Sequence, residues 1–256
     1  MIFTIAGKEL KALFASPMAW VVLTGMQVII GYGFLKRLDD FLQIQSQLSR
    51  MPSPPGVTEL VAAPTFATLA AILLFAVPLL AMRLIAEERR NQTMVLLMSA
   101  PLSIGEIVIG KFLGLFTFLL LIIGLTALMP LSLAGSTHLD YGLLLSLVAG
   151  LALLAAGFTA VSLYVSCLTT HPVVAALGAF GALLAMLLIG ETAGDNLRAR
   201  GWHVPAAFLQ VLSPVRNFEP FGKGLVDTYA LACSLLLTIV FVVLAIRQLD
   251  ARRLRG

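Results

Sequence analysis

Between Lys111 and Glu191 the chain carries only one Asp, Glu, Lys or Arg, which is Asp140. So long an uncharged run points to a bilayer, where backbone groups must find partners within their own segment and helices result. The breaks divide it: Pro130 and the stretch from Gly135 to Asp140 end one helix, and Thr169-Thr170-His171 with Pro172 separates two more. A bilayer needs about 20 apolar residues per span. Spans are therefore expected at 107–133, 141–168 and 172–189, and by the same measure at 18–35, 64–84 and 229–246. The expected fold is an all-α membrane protein with six transmembrane helices. Composition agrees: 12% of residues are charged, against about a quarter in soluble domains, and mean hydropathy is +0.99. No ionisable residue is expected deep in a span, which argues against a proton- or ion-coupled carrier.

The segments between spans carry their own patterns. In residues 1–16, Ile2, Phe3, Ile5, Leu10, Leu13 and Phe14 recur at helical spacing beside Lys8, Glu9 and Lys11. That gives an interfacial helix with one apolar face and a charged edge. No cleavable signal is expected, because the apolar run that follows is long and lacks an A-x-A site. Residues 36–63 are polar and broken by Pro52-Ser53-Pro54-Pro55-Gly56, which predicts an extramembrane loop, within which Phe41, Ile44, Leu48 and Met51 could form an amphipathic turn or two. Pro64 suits the first position of the second span, and Pro78 should kink it. Residues 191–228 hold Trp202, Phe208, Phe218 and Phe221 between prolines, which predicts an outer re-entrant or capping segment. Residues 247–256 form a basic tail. With the termini inside, ten Lys and Arg lie inside and seven outside, in the sense of the positive-inside rule. The length suits one membrane domain over 1–256.

The stretch from Met82 to Phe112 is the densely charged segment between two spans. Arg83, Glu87, Glu88, Arg89 and Arg90 lead to a turn at Asn91-Gln92. A short apolar helix over 93–99 follows, stopped by Ala100-Pro101, since proline removes a donor and biases the residue before it. Ser103-Ile104-Gly105-Glu106 fits a capping box, so the next helix should begin near Ile104. Residues 85–103 would thus form a charged segment outside the membrane.

Met82-Arg83-Leu84-Ile85-Ala86-Glu87-Glu88-Arg89, Thr93, Leu96-Leu97, Ala100-Pro101 and the run from Glu106 to Lys111 together resemble the ABC-2 type transporter permeases. The nearest likeness is to gliding-motility-type permeases, to which Ser213-Pro214, Phe218, Phe221, Gly224 and Asp227 add. Gln92 stands where that family usually has Gly. The resemblance implies a bacterial inner-membrane, multi-pass subunit with both termini cytoplasmic. Its partners would be an ABC ATP-binding subunit, a second permease copy or related subunit, a periplasmic auxiliary protein and membrane lipids. ATP and Mg would sit on the ATPase, with no cofactor on this chain. Arg83, Glu87, Glu88, Arg89 and Arg90 would steer or lock the ATPase groove; Thr93, Leu96 and Leu97 would share the face that fills it. Ser213, Pro214, Phe218 and Phe221 would belong to the outer segment. The expected function is ATP-driven export, coupled to a separate ATPase, by a subunit that is not itself an enzyme. An ion-driven carrier and an ATPase-anchoring scaffold for mechanical work are the alternatives.

Other signals carry less. Gly105 to Lys111 spells G-x-x-x-x-G-K, but Phe112 replaces the Mg-binding hydroxyl and no strand precedes it, so it is no phosphate loop. Gly110-x-x-x-Gly114 and the small residues Ala152, Ala156, Ala175 and Ala179 suit close helix packing within the chain. His138, His171 and His203 stand apart, without the clustering a metal requires. Cys167 and Cys233 form no C-x-x-C pair. Asn91-Gln92-Thr93 is a glycosylation sequon on the cytoplasmic side of this topology. Hydrolase motifs are absent, and the mild basic excess reflects loop placement and not nucleic-acid binding.

Overall fold

The computed structural model describes residues 1–48, 55–92, 103–135, 137–190 and 211–253, and every regular element among them is helical. In chain order these are α1 (Ile2–Ala15), α2 (Pro17–Leu48), a π-helical turn π1 (Thr58–Ala62), α3 (Ala63–Ala81), a second π-helical turn π2 (Arg83–Glu87), α4 (Glu88–Arg90), α5 (Ile104–Leu131), α6 (Tyr141–Leu168), α7 (Pro172–Leu188), α8 (Pro214–Gly222) and α9 (Thr228–Arg253). Among the described residues, five helices are long and apolar enough to cross a membrane: Pro17–Gln45, Thr58–Arg90, Ile104–Leu131, Tyr141–Leu168 and Thr228–Ala251. The segment expected as the fifth span is a 17-residue apolar helix, α7. At about 1.5 Å per residue it falls short of the ~30 Å hydrocarbon core.

Burial ranks these helices. Within its most apolar window, α6 is 72% buried, whereas the α2 span is 22% buried. α6 is therefore the axis of the bundle, packed against α3, α5, α7, α8 and α9, with α2 at the periphery against α3 and α5. The core along α6 joins Leu147, Leu151, Leu154, Phe158 and Val161 to Phe66, Leu73 and Val77 of α3 and Phe118 and Ile122 of α5.

Both ends of α6 and the start of α5 follow the sequence reading. Asp140 caps α6, its carboxylate accepting from the Leu143 amide at 3.1 Å. Ser103 and Glu106 close their capping box: Ser103 Oγ accepts from the Glu106 amide at 3.2 Å, and Glu106 Oε2 accepts from the Ser103 amide at 3.1 Å.

The expected loop over 36–63 is corrected. α2 runs on to Leu48, and helical structure resumes at Val57, seven residues before the expected start at Pro64. The extension is held by an apolar cluster of Phe34, Phe41, Val57 and Val61, and by Gln43 donating to Asp39 one turn earlier at 3.0 Å. Polarity was read there as loop, but i, i+4 polar pairs and a buried aromatic row are compatible with a helix. Pro64 consequently sits inside a helical path and does not open it. That path also passes the expected end at residue 84 and continues to Arg90. At the other terminus α9 extends to Arg253, so Arg247 of the expected tail is helical.

Candidate functional site

The site is built where the second span leaves the bundle. π2 is the first cause. A π turn holds an extra residue and re-phases the side chains beyond it. Leu84, Ile85 and Ala86 are consecutively buried there, while Arg83 and Glu87 stay half-buried and pair across one turn at 3.6 Å. Two other helices and the α1–α2 junction grip this exit. From α6, Ser166 Oγ accepts from the Ala86 amide at 3.1 Å, and Arg89 Nη1 donates to the Cys167 carbonyl at 2.9 Å. A cation on the last carbonyls of a helix also complements its dipole. From the α1–α2 junction, Ser16 Oγ accepts from Arg83. From α5, Lys111 Nζ reaches Glu88 Oε1 at 2.8 Å.

Lys111 is the residue the sequence reading passed over. Its side chain is fully buried, and its ammonium also meets Glu9 Oε1 of α1 at 2.9 Å. Glu9, expected on a charged edge, is turned inward. The signal was available: Ile5, Glu9 and Leu13 share one helical face at i, i+4 spacing, and all three are buried. Lys111 lies two turns into α5, and its charge is met by carboxylates from two other elements.

Gly110 and Gly114 explain how α1 comes so close. A Cβ at Gly110 would lie 2.7 Å from the Ile5 side chain, and one at Gly114 would lie 2.6 Å from Glu9 Cβ. The small-residue spacing thus serves packing within the chain, of α1 on α5. The same helix settles the G-x-x-x-x-G-K match. Residues from Ile104 onward are helical, so the backbone there is not a loop that wraps phosphates.

A cleft of about 260 Å³ lies between α1 and the exit segment, lined by Lys8, Glu9, Ser16, Arg83, Glu88 and Asn91 among others. Arg90, Asn91 and Gln92 are exposed. Gln92 takes φ 57°, in the left-handed region that favours glycine. Thr93, Leu96 and Leu97, the expected groove-filling face, lie outside the described residues, as do Ala100 and Pro101.

The second group of expected residues sits at the opposite end of α6. Ser213, Pro214, Phe218 and Phe221 are all buried on or just ahead of α8. Phe221 lies over Gly150, where a Cβ would come within 2.4 Å of its own, and its carbonyl accepts from Ser146 Oγ at 3.0 Å. Arg216 Nη1 donates to the Gly190 carbonyl at 3.2 Å. Of the expected outer re-entrant or capping segment over 191–228, residues 191–210 lie outside the described residues. The described part is one short helix docked on α6 and α9.

The profile described as ABC-2 family transporter protein matches residues 3–254, nearly the whole chain. The chain belongs to that family. No curated protein matches it. As an ABC-2 family member with several membrane-crossing helices, it is a multi-pass membrane permease of an ABC transporter, and its family works with an ABC ATP-binding subunit.

Proposed function

We propose that this permease is one half of an ATP-driven exporter of the gliding-motility type, in which a separate ATPase moves the spans by acting on residues 85–103. A second permease, identical or related, would complete the path. With α7 as a short sixth span, met by local thinning of the bilayer, both termini would lie in the cytoplasm of a bacterial inner membrane. ATP and Mg would be held by the partner, and this chain would hold no cofactor.

The observation that carries the reading is the grip on the exit segment. Residues 83–90 are bonded to α5, to α6 and to the α1–α2 junction, so displacement of the turn beyond them is passed to three elements at once. A segment free at the surface would transmit nothing. A packed one has discrete arrangements that a bound partner biases through differential contacts. Arg83, Glu87, Glu88, Arg89 and Arg90 set the register of the ATPase, and Thr93, Leu96 and Leu97 fill its groove.

Reconstitution tests this. Permease and its ATPase in vesicles should show ATP turnover and ATP-dependent substrate movement that both require the permease. A complex that forms and hydrolyses ATP but moves no substrate would favour a mechanical anchor over an exporter.

A further inference from the structure

Lys111 has two carboxylates where one would neutralise it. Its side chain is 0% exposed, with Glu9 Oε1 at 2.9 Å and Glu88 Oε1 at 2.8 Å. The two acids are mounted differently. Glu9 belongs to α1, which lies in backbone contact with α5 at Gly110 and Gly114, so Glu9 and Lys111 form one body. Glu88 lies beyond π2, in the segment that leads to the turn at Gln92. A buried ammonium left alone is strongly unfavourable. With one carboxylate, the exit segment could not withdraw without stranding Lys111. With two, Glu88 can leave while Glu9 stays. The departing carboxylate has somewhere to go, because Glu88 lines the 260 Å³ cleft whose walls carry Lys8, Arg83, Ser16 and Asn91.

We propose that Glu9, Lys111 and Glu88 form a release latch between the exit segment and the α1–α5 body. Closed, Lys111 bridges both acids. Open, Glu88 turns into the cleft and Glu9 still pairs with the Lys111 ammonium. The latch rests on the coupling role proposed above and assigns it to three positioning residues. The two acids therefore act in opposite senses, although they contact the same ammonium.

The test uses the assembled permease–ATPase complex, with every rate normalised to complex recovered and thermal unfolding of each variant recorded. In Glu9→Gln the release of Glu88 would strand Lys111, so the latch stays shut. Turnover should fall roughly fivefold or more, the low end of ordinary coupling effects, with the ATPase still bound. In Glu88→Gln the latch stays open. Turnover without substrate should rise by a similar factor, and substrate moved per ATP should fall. The triple variant Glu9→Gln, Lys111→Met, Glu88→Gln removes all the charges, and it should recover a wild-type yield while remaining uncoupled. A purely structural clamp would lower the yield of both single variants and leave their normalised turnover alike. Turnovers that move together, or a triple variant that couples normally, would overturn the latch. A wild-type chain that recruits no ATPase would instead remove the coupling role, and the latch with it.

Discussion

Gln92 and Lys111 each occupy an unfavourable setting for a local reason. Gln92 holds φ 57° in the turn after α4. An L-residue is strained there and glycine is not. Gln92→Gly should tighten the turn by about 0.5 kcal/mol, the steric relief less glycine's extra freedom when unfolded. Hydrogen exchange at the Asn91 and Gln92 amides would slow; faster exchange would show that the glutamine side chain contributes more than its backbone strain removes. Lys111 is the stronger case. Replacing it alone by Met leaves Glu9 and Glu88 facing each other without a cation. Breaking a buried ion pair costs about 3–5 kcal/mol, so Lys111→Met should lower the thermal unfolding temperature far more than Glu9→Gln, which leaves the Glu88 contact. Equal shifts would mean that the ammonium is not shared.

At the scale of elements, α1 is bound to α5 by two glycines and a charge. Gly114→Leu would drive a side chain into Glu9 Cβ and the Ala6 carbonyl, 2.6 and 3.1 Å from the position of its Cβ. α1 should lift, and trypsin should cut faster at the exposed Lys8 and Lys11. Gly124→Leu, with no atom within 4 Å of its Cβ, should leave cleavage unchanged; equal protection in both variants would contradict the packing. The same elements show what the sequence could tell. The capping box at Ser103 and the bounds of α6 were legible because a local code sets them: a hydroxyl, a carboxylate three residues on, and an apolar run between breaks. The full length of α2 beyond Leu35 was not, because it depends on Phe34 and Phe41 meeting Val57 and Val61 of the next helical stretch. Nor was the ion cluster. Glu9 and Lys111 are 102 residues apart, and only tertiary packing brings them together, although the Ile5, Glu9, Leu13 spacing already placed the acid on the buried face.

For the whole molecule the claim is that one end of the bundle receives force and the other faces away. The charged exit, with Gln92, lies at one end of α6, and the loop before α9, with exposed Val226, lies at the other. In intact cells a cysteine at Val226 should react with a membrane-impermeant thiol reagent, and a cysteine at Gln92 should react only after the membrane is opened. The reverse pattern would invert the orientation. The most direct test of coupling is Leu97→Asp. Burying one Leu contributes roughly 1.5–3 kcal/mol, and an unpaired carboxylate in the same groove costs more, while no span is altered. ATPase co-purification and ATP turnover would be measured per permease recovered from the membrane. The account predicts that permease recovery is retained and that ATPase binding or coupled turnover is lost; unchanged ATPase recovery with unchanged turnover would contradict it.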